Sequence, residues 1–128
     1  MNHAALKYAA TQRETAGRER ILVLLLEAAL RHTRAGAVAL DEARHADAVA
    51  SLTRAVDIVA ELHATLDTAR APELCATLGE LYRFISARLL EACATKRAEP
   101  ARAAERALAP IVDGFAGAVA SVGAAPSR

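Results

Sequence analysis

Six large aliphatic residues, Ile21 to Leu26, follow one another without a polar interruption, directly after the charged stretch Gly17-Arg18-Glu19-Arg20. On a helix, Ile21, Leu25 and Ala28 share one face and Leu22, Leu26 and Ala29 an adjacent one, while Val23 and Leu24 widen the apolar arc. This pattern predicts a first helix from about Gly17 to about Asp41. Thr15 or Gly17 is placed to cap it, Glu19 suits its positive pole, and Gly36 weakens its interior. A second helix is expected from about Asp47 to Leu66. Val49, Leu52, Val56, Val59 and Leu66 recur there at helical spacing, with Ile58 and Leu62 on the flank. Pro72 suits the first turn of a third helix, whose stripe is Leu74, Leu78, Leu81, Ile85, Leu89 and Ala92. Tyr82 and Leu90 lie beside that stripe, and Gly79 marks a close helix crossing. A fourth helix reads from about Ala101 to Val122 on Leu108, Ile111, Phe115, Val119 and Val122. Pro110 is expected to kink or divide it.

Four amphipathic helices joined by short breaks, with no alternating strand pattern, predict an all-α, antiparallel up-down four-helix bundle over residues 17–122. Residues 1–16 are weakly patterned, with Leu6 and Tyr8 as their large apolar side chains after Met1. They are expected to form an N-terminal arm or a short helix docked on the body. Residues 123–128 are expected to be a disordered tail.

Composition agrees with helices. Hydrophobic residues make up 54% of the chain and aromatic residues only 3%, so the core must be built from Leu, Val, Ile and Ala. The formal net charge of +1 argues against a nucleic-acid surface, and Arg13, Arg18 and Arg20 are interleaved with Glu. Cys75 and Cys93 have neither redox-pair nor zinc-knuckle spacing and read as core thiols of a reducing compartment. The apolar run is too short for a membrane span and too late for a secretory signal, which predicts a cytoplasmic protein with no membrane insertion.

Little in the sequence supports chemistry. His3, His32, His45 and His63 are far apart, and no pair of ligands shares a helix face at metal-binding spacing. No glycine-rich phosphate loop is present. The chain is therefore expected to have no catalytic residue, no metal and no cofactor. Interaction remains. The apolar arc of the first helix is wider than one packed stripe needs. Either that helix is buried on most sides, or its outer residues are covered by the N-terminal arm, a second subunit or a client peptide.

The ordered motifs resemble one family, the flagellar secretion chaperone FliS. Its opening places a Tyr, a Thr, and a Thr-Ala ahead of a Leu/Ile-rich helix, matched here by Tyr8, Thr11, Thr15 and Ala16, then Ile21, Leu22, Leu25 and Leu26. Ala55, Ile58, Val59, Leu62, Leu66 and Asp67 follow its second helix. Leu81, Tyr82, Phe84, Ile85, Arg88, Leu89 and Ala92 follow its third. Where the family continues its first helix with Tyr-Asp-Gly, this chain has Leu26-Glu27-Ala28, keeping the acid and losing the Tyr and Gly.

The resemblance implies a cytoplasmic chaperone that binds the disordered C-terminal region of flagellin, which folds into helices as it wraps the bundle. Binding would prevent premature polymerisation and aid flagellar type III secretion, with export-gate components as further partners. The client-binding residues it implies are Ile21, Leu22, Leu25 and Leu26, with Ile58, Leu62, Leu78 and Ile85 from later helices. Leu6 and Tyr8 would insert over part of the client groove when it is empty. Two alternatives stay open: an adaptor for a different exported protein, and a self-associating protein whose first helix forms a homodimer interface.

Overall fold

The first helix starts well upstream of Gly17. In the computed structural model, which describes residues 2–123, the four helices are α1 (His3–Asp41), α2 (His45–Ala64), α3 (Pro72–Thr95) and α4 (Ala98–Gly123). Asn2 is the N-cap of α1, its side-chain oxygen accepting from the Ala4 N–H at 3.0 Å. In place of the expected arm or short docked helix over residues 1–16, the structure has continuous helix. From His3 onward it is the leading part of one 39-residue helix, because Ala, Leu, Lys, Gln, Arg and Glu dominate that stretch and favour helix continuation. The expected tail is helix at Gly123, and its remainder, residues 124–128, lies outside the described residues.

The connections are short: residues 42–44, 65–71 and 96–97. Lys96 ends α3 in the left-handed conformation (φ 57°), its N–H donating to the Ala92 carbonyl. Such tight turns force consecutive helices to lie antiparallel side by side. Each helix packs on its chain neighbours, and α4 closes the ring against α1. Two ion pairs give the sense of that closure. Arg34 meets Glu105 at 2.7 Å, and Asp41 meets Arg102, so advancing along α1 means retreating along α4.

The core follows the helical stripes. Leu26, Ala29, Leu52, Ala55, Ile85, Leu89, Ala92, Ala101, Ala104 and Leu108 are fully buried. Each large aliphatic buried in this way contributes about 1.5–3 kcal/mol. Gly36 has a packing role beyond its low helix propensity. A Cβ there would lie 2.4 Å from Leu52 Cδ2, so the missing side chain lets α2 seat Leu52 against the α1 backbone. Thr33, the one buried polar side chain among the described residues, donates its hydroxyl to the Ala29 carbonyl at 2.8 Å. Pro110 does not divide α4. Its ring is on the exposed side, where the carbonyl it leaves unbonded can meet water.

The four helices do not end level. Counting back from the tight turns, Ala64 of α2 and Gly123 of α4 come opposite roughly residues 18–22 of α1. His3 to about Gly17 therefore run past the body by about 22 Å. Burial agrees: no residue from Asn2 to Ile21 is buried, and the first buried position is Leu26.

Candidate functional site

The lower end of the bundle, where α1 leaves its neighbours, carries the main apolar exposure of that helix. Ile21 is 57% and Leu24 59% exposed, one turn apart, while Leu22 and Leu25 are partly buried against the core. Farther out, Leu6 is 50% and Tyr8 66% exposed. The Tyr8 hydroxyl meets only its own helix, accepting from Gln12 Nε2 at 3.0 Å. At Gly17, nothing lies within 4 Å of where a Cβ would stand. This glycine lowers helix stability by about 1 kcal/mol relative to Ala, close to the level where α1 loses the support of α2 and α4.

The eight aliphatic residues implied as client contacts fall into two groups. Leu26, Ile58, Leu62, Leu78 and Ile85 are core residues, buried between the helices, and offer no surface to a partner in this structure. In the free protein they belong to the core: the α1 stripe packs inward at Leu26, and the flank of α2 faces α1. Ile21, Leu22 and Leu25 remain accessible in whole or part. Leu6 and Tyr8 cover no groove here, because the helix that carries them projects away from the body.

Other apolar side chains are exposed: Val49 and Leu74 from the predicted stripes, Leu90 from the margin of one, and Phe84 from the third-helix motif. Val49 is 49%, Leu74 53%, Phe84 48% and Leu90 55% exposed. In a four-helix ring each helix buries only the arc between its two neighbours, so residues at the edge of an apolar stripe face the outer seams. The angular offset of Val49 from Leu52 and of Leu90 from Leu89 is the signal that separates them.

Ionisable groups are arranged as a solvated surface rather than as a reactive centre. No group of three His, Cys, Asp or Glu residues able to hold a metal occurs among the described residues. His32 and His63 do not meet. His63 lies against Tyr82 of α3, with ring centroids 6.1 Å apart, while His32 sits on α1 near Arg54. Burial first, then the charges of Arg31 and Arg54, lower the His32 pKa from its ordinary 6.5. Both cysteines are free, and burial pushes the Cys93 thiol up, away from the reactive thiolate. Glu27 is exposed and lines a shallow recess with Arg31, Arg34 and Asp113. Binding through apolar surface is the chemistry this arrangement supplies.

The family model for the Flagellar protein FliS matches residues 1–122. The chain belongs to the FliS family. No curated protein matches it. FliS is a family of flagellar export chaperones, and its all-α four-helix architecture is the one found here. The match includes the projecting start of α1, so that segment belongs to the FliS unit itself. No helix among the described residues is long and apolar enough to cross a membrane.

Proposed function

We propose that this FliS-family protein is a cytoplasmic chaperone for flagellin, holding the disordered C-terminal region of that protein before export. The observation that carries the reading is the family match over residues 1–122, together with the exposed Ile21 and Leu24 beside the half-buried Leu22 and Leu25. A disordered client that folds on binding must recover its ordering cost by burying apolar rows of its own. Aliphatic side chains at helical spacing offer such rows a partner. Ile21, Leu22 and Leu25 are the proposed contacts on α1. Masking the client's apolar stripes would keep it from polymerising and leave it competent for export-gate components.

The N-terminal segment adds a proposed regulatory element. Bending at Gly17 would bring Leu6 and Tyr8 back toward Ile21, where they would compete with an incoming client helix. Deletion of residues 1–16 then raises client affinity or leaves it nearly unchanged, and a clear loss of binding contradicts this role.

The reading is tested by titrating the C-terminal segment of the same organism's flagellin into the protein by calorimetry, with circular dichroism alongside. Saturable binding near one to one, with helix gained beyond the sum of the parts, is the expected result. A well-folded protein that does not bind, with and without residues 1–16, contradicts it. Sedimentation of the free protein as a stable dimer through α1 would favour the self-associating alternative.

A further inference from the structure

A second surface lies on the opposite side of α2 from α1, along the outer seam between α2 and α3. Val49, Val56 and His63 are spaced by seven residues and so follow one face of α2. Gly79, Arg83, Ser86 and Leu90 follow one face of α3 at four- and three-residue steps. The two faces border the same seam, because a Cβ at Gly79 would stand 3.5 Å from His63 Nε2 and 3.7 Å from Arg83 Nη1. Val49 and Leu90 are about half exposed and Val56 is half-buried. From Val49 to His63 the seam runs about 21 Å, the length of a helix of about 14 residues, and its upper half, at Val49, Val56 and Leu90, is apolar.

Its lower end is different. A recess of about 250 Å³ opens there, lined by His63, Leu66, Thr68, Pro72, Cys75, Ala76, Gly79 and Arg83. No carboxylate lines it. Among the described residues Arg83 has no ion-pair partner, although six ion pairs form elsewhere on the molecule. Gly79 supplies the open floor between the imidazole and the guanidinium. Thr68 of the α2–α3 connection and Pro72 of the first turn of α3 form the end wall.

We propose that this seam receives a helical segment whose C-terminus ends in the recess, its terminal carboxylate bound by Arg83 with His63 and Thr68 as further donors. The polarity follows from charge. A helix C-terminus carries the negative pole and its free carbonyls, so it suits a cationic recess, whereas an N-terminus does not. The apolar row of Val49, Val56 and Leu90 takes the body of the helix, and the end wall stops it. The inference rests on the chaperone reading, under which the client presents its C-terminal region and hence a free chain end. It adds that the chain end itself is recognised.

The test is a double-mutant cycle with the flagellin C-terminal segment, made as free acid and as C-terminal amide, against the wild-type protein and Arg83→Gln. Arg83 is exposed, and an unchanged thermal melt confirms that the variant is folded. One charge-assisted hydrogen bond corresponds to about a tenfold change in affinity. Amidation and Arg83→Gln are each expected to weaken binding by about that factor, and together by no more than either alone. His63→Gln, the second variant, gives a smaller loss that also vanishes with the amide. If amidation changes nothing while Arg83→Gln weakens binding, an acidic side chain occupies the recess and the chain-end assignment is overturned. If neither change alters affinity, the recess has no part in docking and the inference falls while the chaperone reading stands. A wild-type protein that binds neither form overturns both.

Discussion

The two parts of α1 make the most instructive contrast in the molecule. From Leu22 to Asp41 the helix lies between α2 and α4 and buries Leu26, Ala29, Leu30, Thr33, Gly36, Ala37, Ala39 and Leu40. From His3 to Ile21 the same helix buries nothing. Both parts are rich in good helix formers. They differ in what stands beside them. Most helical stability in proteins comes from packing an apolar face, which the projecting part lacks, so it keeps its conformation as an extension of a helix already nucleated and packed. The boundary runs through the apolar run itself: Ile21 and Leu24 are exposed, whereas Leu26, of the same chemical type, has no exposure at all.

Paired substitutions across that boundary sharpen the contrast. Leu26→Asp places an unpaired charge in a site with no solvent access and is expected to cost more than about 4 kcal/mol, enough to unfold the protein in a urea titration. Ile21→Asp, five residues earlier, is expected to shift the same curve by no more than about 0.5 kcal/mol while weakening client binding. Equal destabilisation by the two would erase the distinction between body and projection.

Glycine substitutions probe the same contrast at lower amplitude. Gly36→Ala forces a methyl group into Leu52 and is expected to destabilise by about 1–3 kcal/mol, as overpacking does. Gly17→Ala meets nothing and is expected to gain about 1 kcal/mol of local helix stability. It should appear as increased ellipticity, with the cooperative melt of the body unchanged. If bending at Gly17 is what brings Leu6 and Tyr8 over the client site, the alanine variant also binds client more readily.

The smallest expected effect is in pH. The folded state holds the His32 pKa below its ordinary 6.5, chiefly by burial and then through Arg31 and Arg54. Between the folded value and 6.5 the unfolded chain binds the proton and the folded chain does not. The stability associated with His32 is thus complete above pH 6.5 and declines as pH falls below it. His32→Gln should flatten that decline in melts recorded on the acid side of neutrality.

The four helices and most of the core were legible in the sequence, because three- and four-residue spacing reports directly which side of a helix is apolar. Leu52, Leu78, Ile85, Leu89 and Leu108 are buried as their stripes predict. Two kinds of information were not legible. Periodicity assigns a side chain to a face and says nothing of how far the neighbouring helices extend, so the end of α2 opposite roughly residue 22 could not be anticipated. Nor does it separate an inner face from an outer seam when an apolar arc is wide. Thus Val49 and Leu74, which belong to their stripes, and Leu90, which lies beside one, are about half exposed. The start of α1 was missed because weak amphipathicity reads as an arm. The cap at Asn2 and the run of helix formers after it were the available signal.

The most direct test of the account is amide hydrogen exchange along α1, with and without the flagellin C-terminal segment. The free protein should exchange rapidly from His3 to about Ile21 and slowly from Leu26 to Leu40. Added segment should slow exchange around Ile21 to Leu25 and leave the core amides as they were. Protection that appears elsewhere and leaves Ile21 to Leu25 unchanged, although the segment binds, would contradict the placement of the client on the exposed end of α1.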